Sequence, residues 1–271
     1  MKHHRIAGAA STSLHAVETG AATGRPILFI HGLSQCWLQW SRQLHSDLAQ
    51  DFRLVAVDLR GHGLSEKPHE GYGNSRLWAD DLRSVIDALK LDHPILCGWS
   101  YGPLVMLDYV RHYGEGDIAG MQFVGGVTKL GSEAAAAVLT PAFLNFVPGF
   151  FSNEVNESAS SLGGLLRLCF SSELQPEEYF LMLGWSLSVP PYVRQGLLTR
   201  SIDNDDLLPR LRKPVLITHG AADAVVKTEV IDQQMKRISS ARIELMPTGH
   251  GCFWDDAERY NRQLREYATS L

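Results

Sequence analysis

Short, predominantly apolar runs punctuate this chain at regular intervals. The runs are residues 25–31, 52–58, 94–99, 121–126, 214–219 and 242–247. Runs of this length, rich in Val, Ile and Leu, are typical of strands buried on both faces of a parallel sheet. Two earlier segments, 5–10 and 13–18, are predicted to form a hairpin.

Segments of helical period separate the apolar runs. Apolar residues recur every three or four positions in 34–50 and 75–90, a helix is predicted over 104–113, and an amphipathic helix over 257–271. The tryptophans on these faces, which the spacing assigns to the core, are Trp37, Trp40 and Trp78. The alternation predicts an α/β fold with a mostly parallel sheet covered on both faces.

Between residues 128 and 206 the alternation stops. This part of the chain is helix-like and carries six of the ten phenylalanines. We therefore expect a core formed by 1–127 and 207–271, interrupted by a helical insertion at 128–206 that roofs a pocket. No internal repeat or separate linker is present.

Composition narrows the class of protein. The chain has 271 residues, 45% hydrophobic and 20% charged, which fits one large globular domain or a domain with an insertion. Its net charge of -5 and scattered Lys and Arg argue against nucleic acid and anionic membrane surfaces. The N-terminal segment lacks an apolar signal region, and no run approaches the ~18 apolar residues of a membrane span. A cytoplasmic location is expected.

Cysteine and histidine spacing gives no indication of a metal site. The four cysteines are Cys36, Cys97, Cys169 and Cys252; they form no C-x-x-C pair, so reduced thiols are expected. The eleven histidines show neither H-x-x-x-H nor H-E-x-x-H spacing. We expect no metal and no cofactor.

One motif suggests nucleophilic chemistry. Gly98, Ser100 and Gly102 have G-x-S-x-G spacing, between the apolar run 94–99 and the helical segment 104–113. In such a strand–turn–helix, the glycines allow a sharp turn that exposes the serine hydroxyl above the strand ends. The spacing alone arises often by chance, so its context decides.

Two further residues complete a candidate triad. Asp223 and His250 each follow a predicted strand, and parallel sheets carry their functional residues beyond the carboxyl ends of strands. The order Ser100, Asp223, His250 is the one that accompanies this turn. A serine needs an adjacent base, here His250, and the base needs a carboxylate that orients it. The predicted oxyanion donors are the backbone N–H groups of Leu33 and Tyr101.

Five segments together resemble the α/β-hydrolase superfamily, and more narrowly its esterases and cofactor-free haloperoxidases (perhydrolases). The segments are FIHGLSQ at 29–35, DLRGHGLSEKP at 58–68, GWSYGP at 98–103, HGAADAVV at 219–226 and TGHG at 248–251. The resemblance spans nearly the whole chain except the insertion. It implies an eight-stranded, mostly parallel sheet, a helical lid inserted after the sixth strand, and hydrolysis through an acyl-enzyme.

The resemblance also bears on the other candidates for the nucleophile, the base and the acid. Ser100 argues against dehalogenases and epoxide hydrolases of this superfamily, which use aspartate at that position. His62 precedes the serine, and the resemblance places it in a structural turn, as it does Asp58 and Arg60. The other candidates for the acid, which look like a solvated run before the seventh strand, are Asp203, Asp205 and Asp206.

The pocket is the least specified part of the prediction. Trp99 flanks the serine, where the family commonly has a smaller or more flexible residue, and Val225 matches an apolar pocket position. Phe143, Phe146 and Trp185 in the insertion are expected to contact substrate as well as pack. Gly249 and Gly251 are expected to leave room around the imidazole.

Three functions remain open from the sequence. The leading hypothesis is hydrolysis of a small carboxylic ester or lactone in an apolar pocket. The second is perhydrolysis, in which peroxide accepts the acyl group and the peracid halogenates without metal. The third is a ligand receptor that keeps the triad while the lid signals to a partner. The sequence specifies neither the acyl and alcohol groups nor the oligomeric state.

Overall fold

An eight-stranded sheet forms the centre of the computed structural model, which describes residues 1–271. In chain order, the ten strands are β1 (Lys2–Ala7), β2 (Ser13–Gly20), β3 (Pro26–Ile30), β4 (Arg53–Asp58), β5 (Ile95–Trp99), β6 (Gly120–Val124), β7 (Lys129–Leu130), β8 (Ile202–Asp203), β9 (Val215–Gly220) and β10 (Ala241–Met246). Of these, β7 and β8 lie outside this sheet. The sheet order is β1-β2-β4-β3-β5-β6-β9-β10. β2 pairs antiparallel with both β1 and β4, and all other neighbours in the sheet are parallel. The predicted mostly parallel sheet of eight strands is confirmed.

Helices cover both faces of this sheet. They are α1 (Ser41–Leu44), α2 (Leu48–Asp51), α3 (Ser75–Ala88), α4 (Gly102–Tyr113), α5 (Glu133–Ala137), α6 (Pro141–Phe146), α7 (Val155–Cys169), α8 (Pro176–Leu187), α9 (Pro191–Leu198), α10 (Glu229–Arg237), α11 (Cys252–Asp255) and α12 (Ala257–Thr269). Every residue of β3, β5, β6 and β9 is buried, as expected for strands with both faces covered. Helix α3 packs on α4, whereas α1 packs on α11 and α12.

The single helix predicted over 34–50 is wrong. The chain instead forms a 3₁₀ turn at Trp37–Trp40, followed by α1 and α2. The Ser46 hydroxyl donates to the Gln43 carbonyl and accepts from the Leu48 N–H, so it competes with the helical backbone pattern between the two helices. The apolar spacing nevertheless identified the buried face, because Trp40 is fully buried between Phe29 and Phe253.

Between β6 and β9 the chain is mainly helical, with α5 to α9 in succession. One detail differs from the expectation of a segment without strands. Near its two ends, β7 and β8 pair as a short antiparallel ribbon, with Lys129 opposite Asp203 and Leu130 opposite Ile202. The ribbon pairs the start of this helical segment with its end, so the two ends lie side by side next to the sheet.

Arg194 holds these helices together. Its buried guanidinium donates to the carbonyl oxygens of Phe150 and Ser186 and to the Ser158 hydroxyl, and it also contacts the Val189 carbonyl. No carboxylate faces it, and burial lowers its pKa to about 10. A buried charge of this kind is tolerated because neutral acceptors satisfy it.

Two features of the chain concern its environment. No helix is long and apolar enough to cross a bilayer. All four cysteines are buried and unpaired.

Candidate active site

Ser100 lies at the turn between β5 and α4, with a backbone φ of +57°. A non-glycine residue in this left-handed region is strained and is found mainly where function requires it. The neighbouring glycines permit the turn: a Cβ on Gly98 would clash with the Met106 sulfur, and one on Gly102 would lie 2.7 Å from the Ile30 carbonyl oxygen. The G-x-S-x-G spacing is therefore required by close packing on both sides of the serine.

His250 and Asp223 form a buried pair beyond the ends of β10 and β9. The His250 Nδ1 lies 2.7 Å from Asp223 Oδ2. Asp223 Oδ1 accepts the N–H groups of Val225 and Val226, both at 2.8 Å. Since Nδ1 faces a carboxylate, Nδ1 carries a proton, and in that tautomer Nε2 is the acceptor. No group of the protein hydrogen-bonds to this Nε2.

The charges around Asp223 favour its ionised form. Burial alone would raise its pKa, but the charge and hydrogen bond of His250, with contributions from His219 and the Val226 N–H, hold the pKa below its usual value. His219 Nε2 lies 3.2 Å from Asp223 Oδ2 and 3.1 Å from the Val226 carbonyl oxygen. Burial lowers the pKa of His219, so this ring is neutral at pH 7.

Two backbone N–H groups near the serine have no acceptor within the protein, those of Leu33 and Tyr101. Leu33 lies in the loop after β3. A Cβ on neighbouring Gly32 would lie 3.1 Å from the Ser100 Cβ, which shows how closely this loop approaches the serine. Two unpaired amides at one site are the arrangement that can stabilise a developing oxyanion.

His62 contacts this loop rather than the site. Its Nε2 accepts the Ser34 N–H at 3.3 Å, and its Nδ1 donates to the Arg60 carbonyl at 3.0 Å. Burial, with a further contribution from the charge of His31, keeps the His62 pKa well below its usual value. The ring is therefore a neutral support for the backbone that follows Leu33.

The serine opens into a cavity lined by fifteen residues, twelve of them hydrophobic. The lining residues are Leu33, Gln35, Trp99, Ser100, Tyr101, Val127, Leu130, Leu139, Phe143, Leu165, Cys169, Leu198, Val225, Val226 and His250. None of them carries a fixed charge. Asp223 lies behind His250 and does not line the cavity.

Phe146 and Trp185 do not line the cavity, which corrects the expectation for these two residues. The Phe146 ring packs against Gly164 of α7. The Trp185 indole N–H donates to Gln35 Oε1 at 2.7 Å, and Gln35 stands between the tryptophan and the cavity. Helical spacing indicates that such aromatics are buried, but not which layer they occupy.

The glycines around His250 have a different role from the one expected. A Cβ on Gly251 would lie 2.5 Å from the Phe170 ring, and its N–H donates to the Cys169 carbonyl at 2.7 Å. A Cβ on Gly249 would lie 2.8 Å from the Ser171 nitrogen. Both glycines therefore make room for the end of α7.

Several residues at the site were not predicted from the sequence. Gly125, with φ of +51°, lies against the His250 ring, where a Cβ would be 2.9 Å from Nδ1. The paired glycines at the end of the β6 run were the available signal. No local signal distinguished the lining residues Gln35, Leu165 or Cys169 from other polar or core positions.

The rival acids are engaged elsewhere. Asp205 pairs with Lys129 at 2.5 Å, and Asp206 pairs with Arg111 at 2.8 Å, both in partly exposed ion pairs. Asp203 lies opposite Lys129 in the β7–β8 ribbon. None of the three acids lines the cavity.

Comparisons with known proteins identify the family to which this fold and site belong. Residues 27–263 match the model of the alpha/beta hydrolase family, so the chain belongs to that family. The matched family is one of hydrolases, which supports a hydrolase function for this chain.

Individual relatives cover nearly all of the chain. The structure of the esterase RhEst1 from Rhodococcus sp. ECU1013 is 34% identical, covers 100% of both chains and has a TM-score of 0.95. The AB hydrolase superfamily protein YisY of Bacillus subtilis is 28% identical over 263 residues, 91% of this chain and 92% of its own. A bromoperoxidase from Bacillus anthracis, 22% identical with a TM-score of 0.87 and covering 99% and 100% of the two chains, shares the fold.

Proposed function

We propose that this protein is a serine hydrolase that cleaves small, uncharged carboxylic esters through an acyl-enzyme. The observation that carries the proposal is the His250–Asp223 pair beside Ser100 at one apolar cavity. The similarity to an esterase over the full chain supports the same activity.

The proposed mechanism uses polar atoms at the site that have no hydrogen-bond partner within the protein. His250 Nε2 takes the proton of the Ser100 hydroxyl as its oxygen attacks the ester carbonyl. The N–H groups of Leu33 and Tyr101 donate to the resulting oxyanion. Asp223 stabilises the imidazolium, which returns the proton to the leaving alcohol. Water then attacks the acyl-enzyme by the same route and releases the carboxylic acid.

The lining restricts the substrate. Since no lysine, arginine or carboxylate lines the cavity, a charged acyl group would lose its hydration without gaining a partner. Apolar acyl or aryl groups instead gain about 25 cal/mol for each Å² that leaves water. We therefore infer a preference for uncharged, apolar acyl groups.

Helices α6, α7 and α9 contribute one side of the cavity through Phe143, Leu165, Cys169 and Leu198. We infer that residues 128–206 act as a lid over the serine and contact the acyl group. The body of the protein, 1–127 and 207–271, would then carry the chemistry.

The first experiment asks whether Ser100 is the nucleophile. A fluorophosphonate probe should label the wild-type protein at Ser100, and Ser100→Ala should abolish both the labelling and the hydrolysis of p-nitrophenyl esters while the fold is retained. Near-wild-type turnover in Ser100→Ala would falsify the assignment.

The second experiment tests the substrate class. Two p-nitrophenyl esters of equal acyl length are compared, one with a terminal methyl group and one with a terminal carboxylate. We expect kcat/KM to be at least about a hundredfold lower for the carboxylate, because ~3 kcal/mol is a modest cost for burying an unpaired charge. Equal rates would contradict the proposed preference.

The same panel, run with and without hydrogen peroxide, separates the other candidate activities. Peroxide in place of water would convert the acyl-enzyme into a peracid, which a halogenation assay detects. Turnover far below the range of about 1 to 1,000 per second typical of enzymes, on every ester, would favour a ligand receptor.

A further inference from the structure

Tyr101 carries a second feature besides its backbone N–H. Its hydroxyl lies 3.1 Å from Arg200 Nη1 and 3.4 Å from the Leu197 carbonyl oxygen. The side chain is 3% exposed. Burial raises the pKa of Tyr101 to about 12, moderated by Arg200, so the hydroxyl stays protonated and can donate to Leu197 while it accepts from Arg200.

Arg200 follows α9, and its guanidinium is also buried. Its Nη2 donates to Asp108 Oδ2 at 2.6 Å, and its Cζ lies 5.4 Å from the centre of the Trp78 ring. The planar guanidinium therefore binds the Asp108 carboxylate and the Tyr101 hydroxyl at the same time. Lysine has no such fork of donors.

The two acceptors of Arg200 lie along one helix. Tyr101 immediately precedes α4 and Asp108 is seven residues later, so both point to the same side of this helix. Arg200 thereby bridges the first two turns of α4. It fixes the aromatic ring of Tyr101 relative to the helix, and the backbone N–H of Tyr101 belongs to the same residue.

We propose that Arg200 is a positioning residue for the oxyanion hole, holding the Tyr101 hydroxyl so that the Tyr101 N–H points at the developing oxyanion. This inference rests on the proposed serine-hydrolase function. Displacements of about 1 Å at a reacting centre can cost up to a hundredfold in rate. Since Arg200 belongs to the proposed lid, the position of the lid affects transition-state stabilisation as well as substrate contact.

The test uses substitutions that keep charge and ring shape. Tyr101→Phe removes only the hydroxyl, and Arg200→Lys retains a cation beside Asp108. The matched control is Tyr267→Phe, which removes another buried hydroxyl, bonded to the carbonyls of Met121 and Pro214 below the opposite end of the sheet. A structural role would lower stability in all three variants without a selective effect on chemistry.

For each variant, kcat and KM are measured on one short ester, and affinity is measured for an alkyl boronic acid, whose adduct with serine carries the oxyanion. We expect kcat to fall about tenfold in Tyr101→Phe and Arg200→Lys, a fraction of the loss caused by removing a donor, with KM unchanged. Boronate affinity should fall by the same factor. Tyr267→Phe should match the wild-type protein per active site, counted by fluorophosphonate titration.

Unchanged kcat and boronate affinity in Tyr101→Phe would overturn the proposal. This variant decides the question even if Arg200→Lys fails to fold, because it retains the buried ion pair. A wild-type protein that neither reacts with fluorophosphonate nor binds boronate would instead overturn the proposed function itself, and the inference with it.

Discussion

Two buried aspartates in this protein, Asp223 and Asp58, each hold a histidine ring through its Nδ1 at nearly the same distance. In one pair, His250 Nδ1 lies 2.7 Å from an Asp223 oxygen; in the other, His15 Nδ1 lies 2.8 Å from an Asp58 oxygen. Each carboxylate also accepts two backbone N–H groups. By local chemistry alone, either aspartate could orient the imidazole of a catalytic histidine.

The second ring nitrogen distinguishes the pairs. His15 Nε2 lies 3.0 Å from His3 Nδ1, and the two rings are tilted by 33° to each other beside Trp37. The Nε2 of His250 has no partner in the protein, and this residue shares a cavity with Ser100. A buried carboxylate–imidazole pair is therefore not sufficient to define a catalytic site. A free acceptor, a nucleophile and space for substrate must adjoin it.

The largest expected difference between the two pairs appears when the imidazole is removed from each in turn. His250→Gln should lower kcat/KM by about 10⁴ or more, because the serine loses its base. His15→Gln should leave kcat/KM per folded molecule unchanged and lower only the free energy of unfolding. Ester kinetics on fluorophosphonate-titrated protein and denaturant unfolding measure the two quantities. A loss of activity in His15→Gln at unchanged stability would contradict the distinction.

Substitution of the two carboxylates should again affect catalysis in one pair and stability in the other, with smaller effects. Asp223→Asn should lower kcat by up to about 10⁴, since the amide no longer selects the productive tautomer. Asp58→Asn should cost about 1–3 kcal/mol of unfolding free energy, because its bonds to Trp37 and Leu64 weaken, with kcat retained. Equal loss of kcat in both variants would show that the pairs act together.

Three other buried histidines should make the free energy of unfolding depend on pH. His31, His62 and His219 are buried with lowered pKa values, chiefly through desolvation. The unfolded chain takes up protons on these groups below about pH 6.5 whereas the folded protein does not, so their stabilising contribution is present above that pH and lost as pH falls.

For His62 the lost contribution is about 1.4 kcal/mol between about pH 7.5 and about pH 5.5. Denaturant unfolding of the wild-type protein and of His62→Gln at both pH values measures it. The stability difference between the two proteins should shrink by that amount at the lower pH. A constant difference would mean that His62 takes up a proton in the folded protein as readily as in the unfolded chain.

The smallest predicted effect concerns the acyl pocket. Phe143→Ala should change the ratio of kcat/KM between octanoate and acetate esters several-fold, because contact with one methylene is worth roughly 1 kcal/mol. Phe146→Ala removes a similar ring that does not line the cavity and serves as the control. A parallel loss on every ester in both variants would show that Phe143 only packs.

Local features of the sequence predicted much of the sheet and the location of the serine. The apolar runs identified the central strands because a strand buried on both faces needs apolar side chains throughout. The glycines around Ser100 predicted a tight turn because backbone sterics act between neighbouring residues. Strand order along the chain also placed Asp223 and His250 at one edge of the sheet, where the structure brings them into contact.

Only the tertiary structure decided which buried groups meet. The sequence did not reveal the second histidine–aspartate pair, the Arg200–Tyr101 contact or the place of Phe143 rather than Phe146 at the cavity. These contacts join residues far apart in sequence, and helical or strand period shows that a side chain is buried but not what it faces. The surroundings of Tyr101 and Phe143 depend on how the helices of 128–206 pack over the sheet, and those of the His15–Asp58 pair depend on how the N-terminal strands pack; such packing determines which buried polar atoms are satisfied and which remain free for chemistry.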